Sequence, residues 1–263
     1  MGKIRQIFMQ HSPRHRAILE QAKLKGQVLV DDLAEQFQVS PQTIRKDLND
    51  LCRAQLLTRT HGGALFPSGV ENLEYEARRQ IAASEKQAIG QAAAALIPEG
   101  ASLFINIGTT TEAVSQHLLS HSQLMVITNN INVASRLRVY SGLEVIIAGG
   151  VVRASDGGIV GEAAVDFIRQ FKVDYAIIGV SAIDADGALL DFDYREVKVA
   201  QAIIANARHI ILVADSTKME RSAPVRMGHL SQIDTFITDQ CIEPSLRQIC
   251  ADHDVQLIEA LKL

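Results

Sequence analysis

The sequence predicts an α/β protein in two parts: an N-terminal winged helix-turn-helix, then a larger α/β domain on a parallel sheet. Three observations predict it. Residues 31–51 hold two short amphipathic helices separated by the turn Gln38-Val39-Ser40. From Ser102 onward, short β-branched apolar runs alternate with helical stretches, the pattern of parallel strands buried on both faces. Charge is also divided. Residues 1–60 carry ten basic and six acidic side chains and the rest sixteen and twenty-four, so a head of +4 precedes a body of −8 in a chain of net −4. That division points to a polyanionic partner for the head alone.

Taken in order, Arg14–Leu24 places Ile18, Leu19 and Ala22 on one helix face, and Gly26 ends the helix. Val28–Val30 reads as a short extended piece. Asp31, Asp32 and Glu35 open a second helix, where the macrodipole favours acids, with Leu33, Ala34 and Phe37 on its buried side. In the third helix Ser40 suits the N-cap and Pro41 the first helical position. Ile44, Leu48 and Leu51 recur at helical spacing. The opposite face carries Gln42, Thr43, Arg45, Lys46 and Asn49, side chains that pair with base edges and phosphates. Taken by itself, this helix reads equally as a solvated amphipathic segment. Leu56–Thr60 and Ala64–Phe66 flank His61-Gly62-Gly63 and predict a two-stranded wing with Arg59 and His61 at its tip. The expected DNA-binding set is Ser40, Gln42, Thr43, Arg45, Lys46, Asn49, Arg59 and His61.

Residues 13–67 form the expected head. Pro67-Ser68-Gly69 and the charged run Glu71–Gln80 mark a linker over 68–82, and residues 83–263 form the second domain. Its expected strands are Ser102–Ile107, Leu124–Thr128, Leu143–Ala148, Asp174–Val180 and His209–Ala214. Glu112–Leu119, Asn132–Val139 and Glu196–Ala207 are expected helices between them.

Open α/β sheets bind ligands at the carboxyl ends of their strands. Gly108-Thr109-Thr110-Thr111 follows the first strand and runs into a helix. Backbone N–H groups and hydroxyls there suit a phosphate, or simply make a capped turn. Asn129-Asn130 follows the second strand and Gly149-Gly150 the third, with Gly157-Gly158 and Gly161-Glu162 beyond. After His209–Ala214 comes Asp215-Ser216-Thr217-Lys218. Lys218 would meet a phosphate as a point charge or pair locally with Asp215, and spacing does not choose. Lys86 by itself reads as a surface lysine. Asp184, Asp186, Asp191 and Asp193 are dense, but Gly187 among them favours a plain turn.

The chain has no Walker-type loop, nucleophile elbow or metal-spaced His/Cys/Asp set. Cys52, Cys241 and Cys250 read as reduced thiols. No window reaches the apolar length of a bilayer span, and Met1–Gln10 lacks a signal-peptide core. The expectation is a cytoplasmic protein without membrane association, starting at Met1 or Met9.

These motifs also carry a resemblance. Ser40-Pro41-Gln42-Thr43-Ile44-Arg45-Lys46-Asp47-Leu48, followed by His61-Gly62-Gly63-Ala64, resembles the signature of DeoR-type bacterial repressors. Phe104–Thr110, Thr128-Asn129-Asn130, Ala148-Gly149-Gly150, Asp156–Ala163 and Ala214–Lys218 resemble that family's effector domain, so the likeness covers nearly the whole chain. Leu190–Tyr194 and Gln201–Arg208 are closest to members governing glycerol metabolism genes.

The resemblance implies an effector domain folded like ribose-5-phosphate isomerases. It implies a non-enzymatic repressor with no cofactor, bound as a homodimer or homotetramer to double-stranded operator DNA. A phosphorylated sugar or polyol, here glycerol 3-phosphate, would release it. The family pattern puts Lys86, Asp215 and Lys218 at the pocket with Gly108, Thr109, Thr110 and Thr111 cradling phosphate. Asn129, Gly149, Gly150, Gly161 and Glu162 complete the expected effector set. Lys46 departs from the Arg that is frequent there, which preserves a phosphate contact but weakens a bidentate guanine contact. Two rival expectations are a repressor answering to another sugar phosphate and a sugar-phosphate isomerase-like enzyme with a DNA-binding head.

Overall fold

The computed structural model describes residues 12–25, 27–54, 56–60, 62–65 and 75–260. The chain divides into two compact units, residues 1–71 and 72–263.

The first unit contains α1 (Pro13–Lys25), β1 (Gln27–Leu29), α2 (Val30–Phe37), α3 (Pro41–Arg53), β2 (Thr58–Thr60) and β3 (Gly63–Leu65). Strand β3 pairs antiparallel with both β1 and β2. Gly63 is required by that packing, because a Cβ there would lie 2.1 Å from the Val28 carbonyl oxygen. Gln38 ends α2 in the left-handed region at φ 52°. The Ser40 hydroxyl then accepts from the Thr43 N–H at 3.2 Å and starts α3. Ile44, Leu48 and Leu51 pack with Ile18, Val28, Leu33 and Ala64 in one apolar cluster. Val30 joins the helix instead of extending the strand. The wing strand begins at Thr58 instead of Leu56, since Leu57 is buried in the core of the head.

The second unit is built on a seven-stranded sheet. In chain order its strands are β4 (Ser102–Ile105), β5 (Leu124–Thr128), β6 (Leu143–Ile147), β9 (Val173–Ile178), β12 (Ala207–Val213), β14 (Thr235–Thr238) and β15 (Gln256–Glu259). Their order across the sheet is β15-β14-β12-β9-β4-β5-β6, and every neighbouring pair is parallel. Alternate side chains serve opposite faces. Phe104, Ala176, Leu212 and Phe236 pack with α8 (Glu162–Ile168) and α9 (Tyr194–Ala205). Leu103, Ile105, Ile177 and Ile211 pack with α5 (Ala83–Ala94), α6 (Thr109–His117) and α7 (Ile131–Leu137). Helices α4 (Tyr75–Gln80) and α10 (Pro244–Asp252) and two small antiparallel sheets complete the unit. Those sheets are β7 (Val151–Val152) with β8 (Ile159–Val160), and β10 (Ala182–Ile183) with β11 (Ala188–Asp191) and β13 (Val225–His229).

The chain runs outward through β4, β5 and β6, then returns to place β9 on the other side of β4. The crevice beyond β4 and β9 is therefore the topological switch point, where such sheets bind ligands. The first strand stops at Ile105, short of the expected Ile107. Asn106 Oδ1 takes the Ile107 N–H at 2.7 Å, and the Asn106 carbonyl accepts from the Thr111 hydroxyl at 2.8 Å, which turns the chain into α6. Among the described residues no helix is long and apolar enough to cross a membrane.

Candidate functional site

The polar face of α3 is set by what its other side buries. Gln42, Arg45, Lys46 and Asn49 are exposed, while Ile44, Asp47, Leu48 and Leu51 are buried. Ser40 and half-buried Thr43 are engaged with each other, their hydroxyls 2.9 Å apart. Asp47 sits in the middle of the basic stretch, yet its carboxylate turns inward to Arg14 Nε at 2.5 Å and His15 Nε2 at 3.1 Å. Burial would raise its pKa, but the hydrogen bonds from Arg14 and His15 outweigh that and hold it below the usual carboxylate value. A negative charge is thereby withdrawn from the face that presents Arg45 and Lys46. In the wing Arg59 is exposed and donates to the Gly63 carbonyl. His61 lies outside the described residues.

In the second unit, a small, partly open cleft lies at the switch point. Gly108, Thr109 and Thr110 line it from the start of α6, Ser181 from beyond β9, and Lys218 from the segment after β12. Gly108 adopts φ 149° at the N-cap of α6 without a side-chain cap, so the first N–H groups of that helix keep no capping partner. The Thr111 hydroxyl, by contrast, donates within the turn, to the Asn106 or Gly108 carbonyl, both at 2.8 Å. Lys218 is buried, lines the cleft, and among the described residues has no hydrogen-bond or ion-pair partner. Desolvation pushes its pKa down to about 8. Asp215 opposes the shift, while Arg221, Lys86 and Arg78 add to it.

Asp215 is fully buried. Its Oδ1 accepts from the Thr217 N–H and hydroxyl, and its Oδ2 has no hydrogen bond, lying 3.9 Å from Lys86 Nζ. Lys86 is buried too, and burial lowers its pKa against the pull of Asp215. Its ammonium donates to the carbonyls of Arg78 and Ile81, the latter at 2.8 Å, and so satisfies acceptors left over at the end of α4. Helix α4 is held further by Tyr75, which donates to Glu112 at 2.7 Å, and by Arg78, which pairs with Asp156 at 3.0 Å. Three cations, Lys86, Lys218 and Arg221, thus share the field of one buried carboxylate, Asp215, and the Arg78 charge disfavours ionisation of all three.

The expected effector residues do not all meet at this cleft. Gly108, Thr109, Thr110 and Lys218 line it, and Lys86 and Asp215 stand behind Lys218. Asn129 is buried and donates to the Ile159 carbonyl at 3.0 Å, supporting the β7–β8 ribbon. Gly150 packs against Ile159 and Val160, and a Cβ on exposed Gly149 would meet nothing within 4 Å. Gly161 caps α8, and exposed Glu162 pairs with Lys198 at 2.8 Å. None of these five is among the cleft-lining residues.

The cleft also holds residues that sequence reasoning passed over. Arg78 falls within the charged run read as linker. Asp191 and Glu196 line the cleft together with Lys218. Asp184 and Asp186 do form the turn that Gly187 suggests, with the Gly187 N–H donating to the Asp184 carbonyl at 2.9 Å. Asp191 and Asp193 do not belong to it. Asp193 caps α9 and pairs with Arg153, which also holds Asp156 at 2.7 Å and Glu196 at 2.6 Å. Burial raises both Asp191 and Glu196, and the Asp191 charge raises Glu196 further, against the pull of Arg153.

Residues 14–70 match the family described as the DeoR-like helix-turn-helix domain, and residues 81–240 match the DeoR C terminal sensor domain. The chain belongs to the DeoR family. The glycerol-3-phosphate regulon repressor of Escherichia coli (strain K12) is 48% identical over 95% of this chain and 99% of that protein. Its counterpart in Haemophilus influenzae is 49% identical over 88% of this chain and 90% of that protein. Among solved structures, ribose 5-phosphate isomerase from Plasmodium falciparum aligns at TM-score 0.38 and 13% identity, over 51% of this chain and 52% of that one. At that distance no site residue is carried across. In this DeoR family member, the cleft lies within the matched sensor domain except for Arg78, three residues before its start.

Proposed function

We propose that this protein is a cytoplasmic transcriptional repressor that binds operator DNA through α3 and the wing and lets go when glycerol 3-phosphate occupies the cleft. The observation that carries the effector half is Lys218, a buried ammonium facing a cleft without a hydrogen-bond partner among the described residues. Burying a charge unpaired is costly, and a phosphate beside the open N-terminus of α6 would supply the missing partner. The names and extensive identity of the two bacterial relatives support a glycerol phosphate over other phosphorylated sugars.

In this reading Gln42, Thr43 and Arg45 lie nearest the bases, while Lys46, Asn49 and Arg59 lie along the phosphates, with Ser40 holding the helix start. A homodimer or larger assembly would read paired half-sites. An effector shifts DNA binding only if it binds the DNA-free arrangement more tightly. Helix α4 is suited to that coupling. It follows directly on residues 66–74, and its C-terminal carbonyls are held by Lys86, an ammonium that an incoming phosphate would attract. The test is fluorescence anisotropy of labelled operator DNA titrated with protein, with and without glycerol 3-phosphate.

The pair Asp191 and Glu196 favours one other reading, a sugar-phosphate isomerase, since buried carboxylates can act as general acid and base. That reading requires turnover of ribose 5-phosphate or a related sugar by the purified protein. The repressor reading expects binding without turnover.

A further inference from the structure

The cleft carries two kinds of polar group. The α6 N-terminus, Thr109, Thr110, Lys218 and Arg78 line it, and so do Asp191 and Glu196, both buried. Asp191 feels the charge of Lys218 without a hydrogen bond to it. The Asp191 carboxylate accepts from its neighbour's backbone, the Phe192 N–H, at 2.7 Å, and from the Ser181 hydroxyl. Glu196 is fixed by Arg153, which also holds Asp193 and Asp156, the latter shared with Arg78. Acids in that setting bond ligand hydroxyls in either protonation state, and their ionised form repels a ligand carboxylate.

We propose that Asp191 and Glu196 read the carbon skeleton of the effector: they bond the hydroxyls of a neutral polyol chain whose phosphate lies against Lys218 and the α6 N-terminus, and they exclude phosphorylated acids. This assignment rests on the effector reading given above and adds its selectivity. A site built to bond a hydroxyl discriminates strongly against a ligand that lacks it, because its own buried polar groups are then left unpaired.

The experiment is isothermal titration calorimetry of the full chain with inorganic phosphate, glycerol 3-phosphate, ribose 5-phosphate and 3-phosphoglycerate. The ligands are compared in the wild type, Asp191→Asn and Glu196→Gln. The wild type is expected to bind the best hydroxylated phosphate at least about tenfold more tightly than inorganic phosphate, and to bind 3-phosphoglycerate more weakly than either. Each variant is expected to lose about tenfold for the hydroxylated ligand, to stay within about threefold for inorganic phosphate, and to gain affinity for 3-phosphoglycerate. That gain cannot come from a damaged fold.

Equal losses for all ligands, unchanged selectivity, or no gain for 3-phosphoglycerate in either variant would overturn the assignment. If ribose 5-phosphate outbinds glycerol 3-phosphate, the glycerol reading fails while the two acids are still judged on ribose 5-phosphate. If the wild type binds none of the four, both readings fall.

Discussion

Lys86 Nζ lies 3.9 Å from Asp215 Oδ2, and that oxygen, fully buried, accepts no hydrogen bond. The same ammonium holds the Arg78 and Ile81 carbonyls at the end of α4. One lysine therefore touches both the buried carboxylate of the cleft and the first helix after the head. Replacing it by Met removes both interactions. Lys86→Met should weaken glycerol 3-phosphate binding by about tenfold or more and lower the stability of the second unit by about 2 kcal/mol. Operator affinity without effector should stay within about threefold of wild type. Lys86→Met with Asp215→Asn should recover part of the lost stability, because the uncompensated carboxylate is gone. Calorimetry and thermal unfolding of the four proteins of that cycle check it.

Lys218 gives the cleft a pH dependence. Burial brings its pKa from 10.5 to about 8 in the effector-free protein, against Asp215 and aided by Arg221, Lys86 and Arg78. The lysine thus gives up its proton more readily folded than unfolded. Its contribution to stability is constant below about pH 8, rises with pH between about 8 and 10.5, and levels off above that. Effector binding runs the other way, since the phosphate needs the ammonium. Affinity for glycerol 3-phosphate should fall by about tenfold between about pH 7 and about pH 9. Titrations with Lys218→Arg in parallel should show little of that decline.

The inward turn of Asp47 makes a separate prediction for the head. Asp47→Ala leaves Arg14 and His15 without their shared acceptor and should cost the first unit about 1–2 kcal/mol, the range for a charged hydrogen bond at a partly exposed site. Asp47 is held below its ordinary value, so its contribution is present above about pH 4 and is lost as pH falls below that. Chemical denaturation at two pH values on either side of that limit measures both effects.

On the outer face of α3, Arg45 and Lys46 are expected to do different work. Arg45→Ala should lose about 1–3 kcal/mol on operator DNA and much less on random DNA. Lys46→Ala should weaken both equally and reduce the salt slope by about one. Anisotropy titrations over a salt series separate the two.

Much of this architecture was legible because it is local. Ile44, Leu48 and Leu51 announce α3 by spacing, and the apolar runs near Phe104, Val126, Val145, Ile177 and Ile211 announce five strands of the central sheet. Strands β14 and β15 lie in short runs broken by polar residues, Thr235 and Thr238 in one and Gln256 and Glu259 in the other, and are placed by pairing with β12 and with each other. The inward turn of Asp47 depends on Arg14 and His15 of another helix, and no spacing within α3 records it. The same holds at the cleft. Gly108–Thr110 and Lys218 are visible as loops after strands, whereas Arg78 lies in a charged run that reads as linker. Asp191 follows a turn rich in aspartate and ends β11, Glu196 lies in the first turn of α9, and only the folded chain brings both to the cleft with Lys218.

The most direct measurement is the affinity of the full chain for operator DNA at fixed salt as glycerol 3-phosphate is titrated in. Coupling between cleft and head predicts that operator affinity falls by at least about tenfold at saturating effector, within the range of typical allosteric coupling, and that Lys218→Ala abolishes the fall while leaving effector-free affinity unchanged. An operator affinity that stays constant while calorimetry shows the cleft filled would contradict it.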